Sequence, residues 1–210
     1  MKIRRAARLL PVVCLAISLS APGQQRSRAG EFDYYLLNLS WSPEFCHGQP
    51  NSPECSGSQH FGFIVHGLWP QFRNGGGPEY CGQQPGLSDP ARMLDIMPDV
   101  HLVAHEWAAH GTCSGLNADD YFGLIRRIFT ALRMPPEFVS PARQFNIPPA
   151  ELKRSFEQAN PGLADADLAV SCAGPYLRAI EVCMSKDGRP MPCTAVRDCR
   201  TSILRVPRVR

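Results

Sequence analysis

Two histidines, a glutamate and a cysteine occur within nine residues of the chain, at His105, Glu106, His110 and Cys113. The order of the first residues resembles a zinc-protease helix, in which two histidines four residues apart share one helical face. Here the two histidines are five residues apart, which separates them by about 140° around a helix. The spacing therefore does not favour a zinc-binding helix.

Glu106 and His110 are four residues apart in the sequence. A helix would place them within about 40° of each other, so that both point into the same space. A carboxylate beside an imidazole can orient the ring or stabilise its charged form, as in a proton-transfer site. The same spacing also forms ordinary ion pairs on exposed helices. Both interpretations fit these two residues alone.

A third histidine, His66, lies in the sequence FIVHGLWP, at the end of an apolar run over residues 60–65 that predicts a strand. Gly67 and Trp69 follow it closely. A single histidine in such a position is more often structural than chemical. The presence of two such stretches in one chain favours an active site that is built from both.

The periodicity of apolar residues predicts the elements that would carry these groups. Strands are predicted at residues 31–41, 60–65, 168–173 and 176–184, and helices at residues 100–110, 118–134 and 149–158, with a further helix beginning at Asp89 and Pro90. Residues 42–59, rich in Pro, Ser and Gly, predict a loop closed by one local disulfide. Strands, then helices, then strands indicate an α+β fold, with a central antiparallel sheet packed with several helices in one domain over residues 31–203.

Residues 1–20 have the charged, apolar and small-residue order of a secretory signal peptide. We expect cleavage after Ser20, or as late as about residue 29; a retained anchor helix is the alternative. Loss of residues 1–20 would leave 18 basic and 19 acidic residues, a net charge near −1. This balance does not favour a non-specific polyanion binder. The interpretation is a secreted or periplasmic protein without membrane contact after signal removal.

Eight cysteines would remain after signal removal, and none of them forms a Cys-x-x-Cys pair of the kind that zinc sites use. An even number in an exported chain predicts four disulfides, although the count alone leaves the pairing open. The fold is therefore expected to be stapled by disulfides.

The stretches FIVHGLWP and HEWAAHGTC resemble the two active-site segments of the ribonuclease T2 family. The first matches over residues 66–70, and the second matches at residues 105–107 and 110–113. Outside these motifs, only the order of features along the chain is similar: an aromatic first strand with Trp41 and cysteines near the C-terminus. The resemblance covers residues 32–199.

This resemblance implies an endoribonuclease for single-stranded RNA that forms a 2′,3′-cyclic phosphate and a free 5′-hydroxyl. It implies no metal and no cofactor, and we expect a monomer that does not act on DNA. Carried over by position, the implied catalytic residues are His110 as general base, His66 as general acid and Glu106 as support for the phosphorane. The implied substrate-binding residues are His105 for phosphate, and Trp69 and Gln71 for a base by stacking and hydrogen bonding.

One position departs from the family pattern. A lysine usually precedes the histidine of the second segment, and here that residue is Ala109. Loss of one donor to the transition state costs on the order of 10²–10³ in rate. Arg73 and Arg92 are candidates for a substitute cation because they are near in sequence. A catalytically reduced member that binds RNA is therefore an alternative.

The resemblance also implies the disulfides Cys46–Cys55, Cys81–Cys113, Cys172–Cys199 and Cys183–Cys193.

A different class of protein remains open as well. An exported disulfide domain could be an inhibitor or a recognition module whose histidines form a pH-sensitive surface. That alternative predicts no turnover, and it leaves the arrangement of His105, Glu106 and His110 unexplained.

Overall fold

The computed structural model describes residues 28–209, so the predicted signal peptide lies almost entirely outside the described residues. Six strands form one sheet: β1 (Tyr34–Trp41), β2 (Phe63–Gln71), β3 (Phe145–Ile147), β4 (Leu168–Ala173), β5 (Tyr176–Met184) and β6 (Leu204–Val206). The α-helices are α1 (Ser42–Gly48), α2 (Pro53–Ser56), α3 (Val100–Ala109), α4 (Ala118–Ala131) and α5 (Pro149–Ala159). The predicted α+β class is confirmed.

The sheet is mostly antiparallel, with β1 and β5 at its centre. β1 pairs with β2 and β5, and β5 also pairs with β4, all antiparallel. β5 and β6 form a short parallel pair, and β6 continues the sheet to β3. β1 is buried along nearly its whole length, which its continuous apolar sequence predicts for a central strand covered on both faces.

Two strands contain a β-bulge, which adds one unpaired residue and changes the side to which the following residues point. In β2, Gly67 lies opposite Asn38 and Val65 lies opposite Leu39, so His66 is the extra residue. In β5, Ala179 lies opposite Ser171 and Leu177 lies opposite Cys172, so Arg178 is the extra residue of that pairing.

α3 and α4 begin at side-chain caps. The Asp99 carboxylate accepts from the His101 N–H at 2.8 Å, and the Asn117 side chain accepts from the Asp120 N–H at 2.9 Å. Such caps satisfy backbone donors that the first helical turn leaves free. The predicted helix at Asp89 and Pro90 is wrong in kind: the segment is a single 3-10 turn, Pro90–Met93.

Other segments also differ from the predictions, and the first strand begins at Tyr34 instead of residue 31. The segment predicted as a loop over residues 42–59 contains the short helices α1 and α2, each begun by a proline in its first turn. The second strand begins later and runs on to Gln71, so His66 lies inside the strand and not at its end. The helix predicted to reach residue 134 ends at Ala131, three positions earlier.

An aromatic cluster fills the core where the sheet meets the helices. Trp41 packs edge-on against Phe63 and Phe138, with ring centroids 4.8 and 6.0 Å apart. Phe156 from α5 joins the cluster at 5.7 Å from Phe63. Among residues 28–209, no helix combines the length and the apolar character that crossing a membrane requires.

Four disulfides join the eight cysteines of the described chain. They are Cys46–Cys55, Cys81–Cys113, Cys172–Cys199 and Cys183–Cys193, the same pairs that the family resemblance implies. The first links α1 to α2, and the third and fourth bind the strands β4 and β5 to the following loop. The second joins residue 81 to the segment that follows α3.

Candidate active site

The bulge in β2 directs His66 away from the core. Val65 and Leu68 are both fully buried in the main core, although they are three residues apart and simple alternation would put them on opposite faces. The extra residue resolves this conflict, because it lets the strand bury both and turn His66 outward. The buried Tyr121 hydroxyl donates to the Leu68 carbonyl at 2.8 Å and fixes the strand just beyond the bulge.

Glu106 of α3 is 1% exposed, and its carboxyl group is held by residues of β2. The Trp69 indole N–H donates to Glu106 Oε2 at 2.7 Å, and His66 Nε2 lies 3.5 Å from Glu106 Oε1. Gly67 permits this approach, because a Cβ at that position would lie 2.0 Å from Glu106 Oε2. The two active-site segments therefore meet at the Glu106 carboxyl group.

This contact differs from the arrangement that the sequence spacing predicts. Glu106 was expected to pair with His110, four residues later, but its carboxyl group contacts His66 and Trp69 instead. The reason is that α3 ends at Ala109, and His110 has a non-helical φ of −119°. Its ring therefore leaves the face that helical spacing assigns to it.

His110 also lies against Trp69. The Trp69 ring centroid is 5.4 Å from that of His110 and 5.8 Å from that of His66. His110 Nδ1 is buried, and it has no hydrogen-bond partner within the part of the chain that the structure describes. An enclosed polar atom without a partner costs about 1–3 kcal/mol of stability and calls for a functional explanation.

Burial is the largest cause of the pKa shifts of His66, Glu106 and His110. It lowers the pKa of His110 to about 4, lowers the pKa of His66, and raises the pKa of Glu106 to about 8. The Trp69 hydrogen bond opposes this rise at Glu106 but does not cancel it. In the free protein at neutral pH, the His66–Glu106 contact therefore joins two uncharged groups.

The remaining residues implied by the resemblance lie around this centre. His105 is exposed on α3. Burial lowers the pKa values of His66 and His110 most, and the charge of His105 is the next largest cause for both. Gln71 ends β2, and its side-chain amide donates to the Pro70 carbonyl at 3.0 Å. The structure thus brings His66, Trp69, Glu106 and His110 together. His105 precedes Glu106 on α3, and Gln71 lies two residues beyond Trp69, at the end of β2.

A disulfide holds the end of α3 against the loop that precedes it. Cys113 lies three residues after His110 and bonds Cys81. Beside it, the Tyr80 N–H donates to the Ala109 carbonyl at 2.8 Å. Gly111 packs so closely on Trp107 that a Cβ would lie 2.3 Å from the indole ring. These contacts fix the position of the chain immediately around His110.

Within residues 28–209, neither arginine that the sequence suggests forms a hydrogen bond or salt bridge with His66, Glu106 or His110. Ala109 itself is 2% exposed. Arg92 forms an ion pair with the Asp119 carboxylate, and the Arg73 backbone N–H donates to Asp33. The arginine whose charge lowers the pKa of His66, after burial and His105, is Arg178 of β5.

Arg178 was missed in the sequence, although a signal for its position exists. Leu177 and Ile180 are both fully buried and three residues apart, which is the same step that Val65 and Leu68 show around His66. Such a step within an otherwise alternating strand indicates a bulge. Within residues 28–209, no three His, Cys, Asp or Glu side chains are arranged to hold a metal ion together.

Known proteins with a similar sequence are ribonucleases. The model of the Ribonuclease T2 family matches residues 32–193. A ribonuclease of Aeromonas hydrophila is 34% identical over 194 residues, which cover 83% of this chain and 81% of the relative. A probable ribonuclease of Haemophilus influenzae is 34% identical over 182 residues, covering 77% of this chain and 61% of the relative, so this chain spans less than two thirds of that protein.

The fold is also that of solved ribonuclease structures. The crystal structure of RNase NT in complex with 5′-AMP aligns with a TM-score of 0.64 and 21% identity, covering 85% of this chain and 99% of that one. At this identity the likeness concerns the fold alone. The family match extends over most of the chain and includes both segments that meet at Glu106. The chain therefore belongs to the ribonuclease T2 family.

Proposed function

We propose that this chain is an endoribonuclease that cleaves single-stranded RNA by transesterification, without a metal ion or another cofactor. The observation that carries the proposal is that His66 and His110 both lie against Trp69, whose indole N–H donates to the Glu106 carboxyl group. Two imidazoles beside one carboxyl group suit a reaction that removes one proton and delivers another. Family membership supports the same class of reaction.

In the proposed reaction the substrate supplies its own nucleophile. The 2′-oxygen attacks the adjacent phosphorus and its proton passes to His110. The bond from phosphorus to the leaving 5′-oxygen breaks, and that oxygen takes a proton from His66. The products are a 2′,3′-cyclic phosphate and a 5′-hydroxyl, with the two histidines left in exchanged protonation states. Each proton transfer contributes roughly 10²–10⁴ in rate.

The protonation of the free site supports this assignment. The low pKa of His110, about 4, leaves its ring neutral and able to accept a proton at physiological pH. His66 must carry a proton to act as an acid, and an anionic phosphate beside it would raise its pKa on substrate binding. The His66 side chain is more than a third exposed, so that a substrate can reach it.

Glu106 would act in its neutral form. Its Oε2 accepts from Trp69, and its Oε1 faces His66. A carboxyl group that keeps its proton up to a pKa of about 8 can donate to a phosphoryl oxygen as negative charge develops there. We propose that His105 binds phosphate and that Trp69 and Gln71 contact a base.

The proposal also includes the setting of the enzyme. Four disulfides indicate an oxidising compartment, which agrees with a secreted or periplasmic protein. We propose that it acts as a monomer, without membrane contact after signal removal. DNA would not be cleaved, because it lacks the 2′-hydroxyl that attacks the phosphorus.

The test is to incubate the purified protein with single-stranded RNA in EDTA, alongside DNA of the same sequence. Cleavage of RNA alone, with products that carry a 2′,3′-cyclic phosphate and a 5′-hydroxyl, is expected. Products with other ends would contradict the transesterification mechanism. A product map on a defined oligonucleotide would give the base preference in the same experiment.

The buried Ala109 favours one alternative, a member of the family with reduced turnover that mainly binds RNA. This alternative predicts that the oligonucleotide stays intact while it binds to the protein. A binding measurement on the same oligonucleotide separates the two proposals, and it also separates them from a module that recognises another protein and ignores RNA.

A further inference from the structure

The two bulged residues of the sheet point to the same side. Around His66, the flanking residues Val65 and Leu68 belong to the main core, and around Arg178 the flanking residues Leu177 and Ile180 do so. In each strand the extra residue is thereby directed to the opposite face. This is the face on which Trp69 and Glu106 meet.

The register of the strands sets the separation of the two residues. β2 and β5 both pair with β1, where His66 lies beside Asn38 and Leu39, while Ala179 lies opposite Ser40. His66 and Arg178 are therefore two strand spacings apart across the sheet and two to three residues apart along it. These two offsets together put their Cα atoms about 13 Å apart. The side chains of an arginine and a histidine that lean towards each other cover most of this distance.

The Arg178 guanidinium is free to bind a ligand. The residue is exposed, and within residues 28–209 its side chain makes no salt bridge of the kind that engages Arg92 and Arg126. Glu181, the nearest acidic group along the strand, is partly buried and accepts from the Asn38 amide at 3.1 Å. The charge of Arg178 acts on Glu181 without a direct ion pair.

Arg178 lies on the His66 side of the site. Burial lowers the pKa of His66 most, followed by the charges of His105 and Arg178. The charges that lower the pKa of His110 are those of His105 and His66, and Arg178 is not among them. Together with the strand register, this indicates that Arg178 is nearer to His66 than to His110.

We propose that Arg178 is a substrate-binding residue that holds the next phosphate of the RNA, on the 3′ side of the nucleotide that leaves with the 5′-hydroxyl. The inference rests on the proposed function, in which His66 protonates the leaving oxygen, so that a cation beyond His66 faces the leaving strand. A guanidinium is well suited to this task, because its fork of donors matches two phosphate oxygens.

The experiment compares two short substrates that differ by this phosphate alone. One is the preferred dinucleotide with a free 3′-hydroxyl, and the other is the same dinucleotide with a 3′-phosphate. Wild-type protein should cleave the phosphorylated substrate with a kcat/KM about tenfold higher, the lower end of what a charge-assisted hydrogen bond gives. In Arg178→Ala this advantage should vanish, while the rate on the substrate without the 3′-phosphate changes less than about twofold. Arg178→Lys should keep part of the advantage.

Arg205→Ala is the matched control. Arg205 is an exposed arginine on the neighbouring strand β6, and its guanidinium lies over the Tyr176 ring, 5.8 Å from the centroid. This variant should keep the tenfold advantage of the wild type. On a longer RNA, Arg178→Ala should also reduce the slope of log(kcat/KM) against log[salt] by about 0.7, as expected for one lost phosphate contact on a single strand.

Two results would overturn the inference while the proposed function stands. One is an unchanged phosphate advantage in Arg178→Ala, and the other is an equal loss on both substrates, which would mean that Arg178 only supports His66. If wild-type protein cleaves no RNA at all, the proposed function itself fails, and the assignment of a leaving side fails with it.

Discussion

The two segments that form the site are built in opposite ways. The β2 segment lies inside a strand, where pairing with β1 fixes the backbone and a bulge sets the direction of His66. The α3 segment lies at a helix end, where a disulfide to Cys81 and a hydrogen bond from Tyr80 hold the chain around His110. The strand carries the partly exposed His66, and the helix carries the buried Glu106 carboxyl group. Neither segment contains a complete proton-transfer pair, so the site exists only where they meet.

The most direct way to break the pairing is to remove one histidine from either segment. We expect His66→Ala and His110→Ala each to lower kcat by about 10²–10⁴, since each deletes one proton transfer. Neither residue belongs to the hydrophobic core, so both variants should keep the native fold, which near-UV circular dichroism would show. If one variant kept full activity, the reaction would not need both segments.

A smaller effect is expected from a change that forces the segments apart. In Gly67→Ala the new Cβ would occupy the space of Glu106 Oε2. The carboxyl group must move by an ångström or more, and such a misplacement costs about 10²-fold in rate. Gly123→Ala on α4 is the control, because its Cβ would meet only Arg127 at an ordinary contact distance of 3.6 Å. Steady-state kinetics of both variants would measure the difference; equal rates would mean that the close approach is not required.

The pH dependence tests the two segments against each other. Below its pKa of about 4, His110 is protonated and cannot accept a proton, so kcat/KM should fall tenfold for each pH unit on that side. Above the pKa of His66, which burial, His105 and Arg178 hold below the usual 6.5, the acid loses its proton and kcat/KM should fall again. Glu106, which also faces His66, stays neutral until about pH 8. The expected profile of kcat/KM is a bell with its maximum on the acidic side of neutrality. A maximum near pH 8 would exclude these roles.

The smallest expected effect on rate comes from Glu106→Gln, which keeps a neutral donor in the same place. We expect a loss of about tenfold or less, against roughly 10²–10³ for Glu106→Ala, which removes the donor. The glutamine variant should also be more stable than the wild type at pH 7, by on the order of 1–3 kcal/mol, because the unfolded glutamate ionises near pH 4.5 and the folded one near 8. The gain should shrink as the pH falls to 4.5, where about half of the unfolded glutamate is already protonated, and vanish below that pH. Urea unfolding at pH 4.5 and 7 would measure it, and a gain independent of pH would contradict a raised pKa.

Local patterns in the sequence predict much of the fold. The strands at residues 168–173 and 176–184 have the predicted bounds, because alternation of apolar residues and the turn between them are local features. The helix starts after Asp99 and Asn117 follow from capping residues that act within one turn. The motifs also select His66, Trp69, Glu106 and His110, whose side chains lie close together in the structure.

Features that depend on a distant partner strand escape local patterns. The bulge at His66 is defined by pairing with β1, so the second strand was expected to end at residue 65 and not at Gln71. Glu106 accepts a hydrogen bond from Trp69, which belongs to another segment of the chain. Helical spacing alone predicts His110 as its partner. The same limit applies to Arg178, whose distance from His66 depends on the register of three strands.

The disulfide between Cys81 and Cys113 has a consequence for when the enzyme becomes active. It closes three residues after His110, and a bond of this kind persists only where the surroundings are oxidising. A chain that is still in the reducing compartment of its synthesis would lack the bond that holds the end of α3. If the chain is exported as proposed, the cell's own transcripts would be spared until the bond forms outside that compartment.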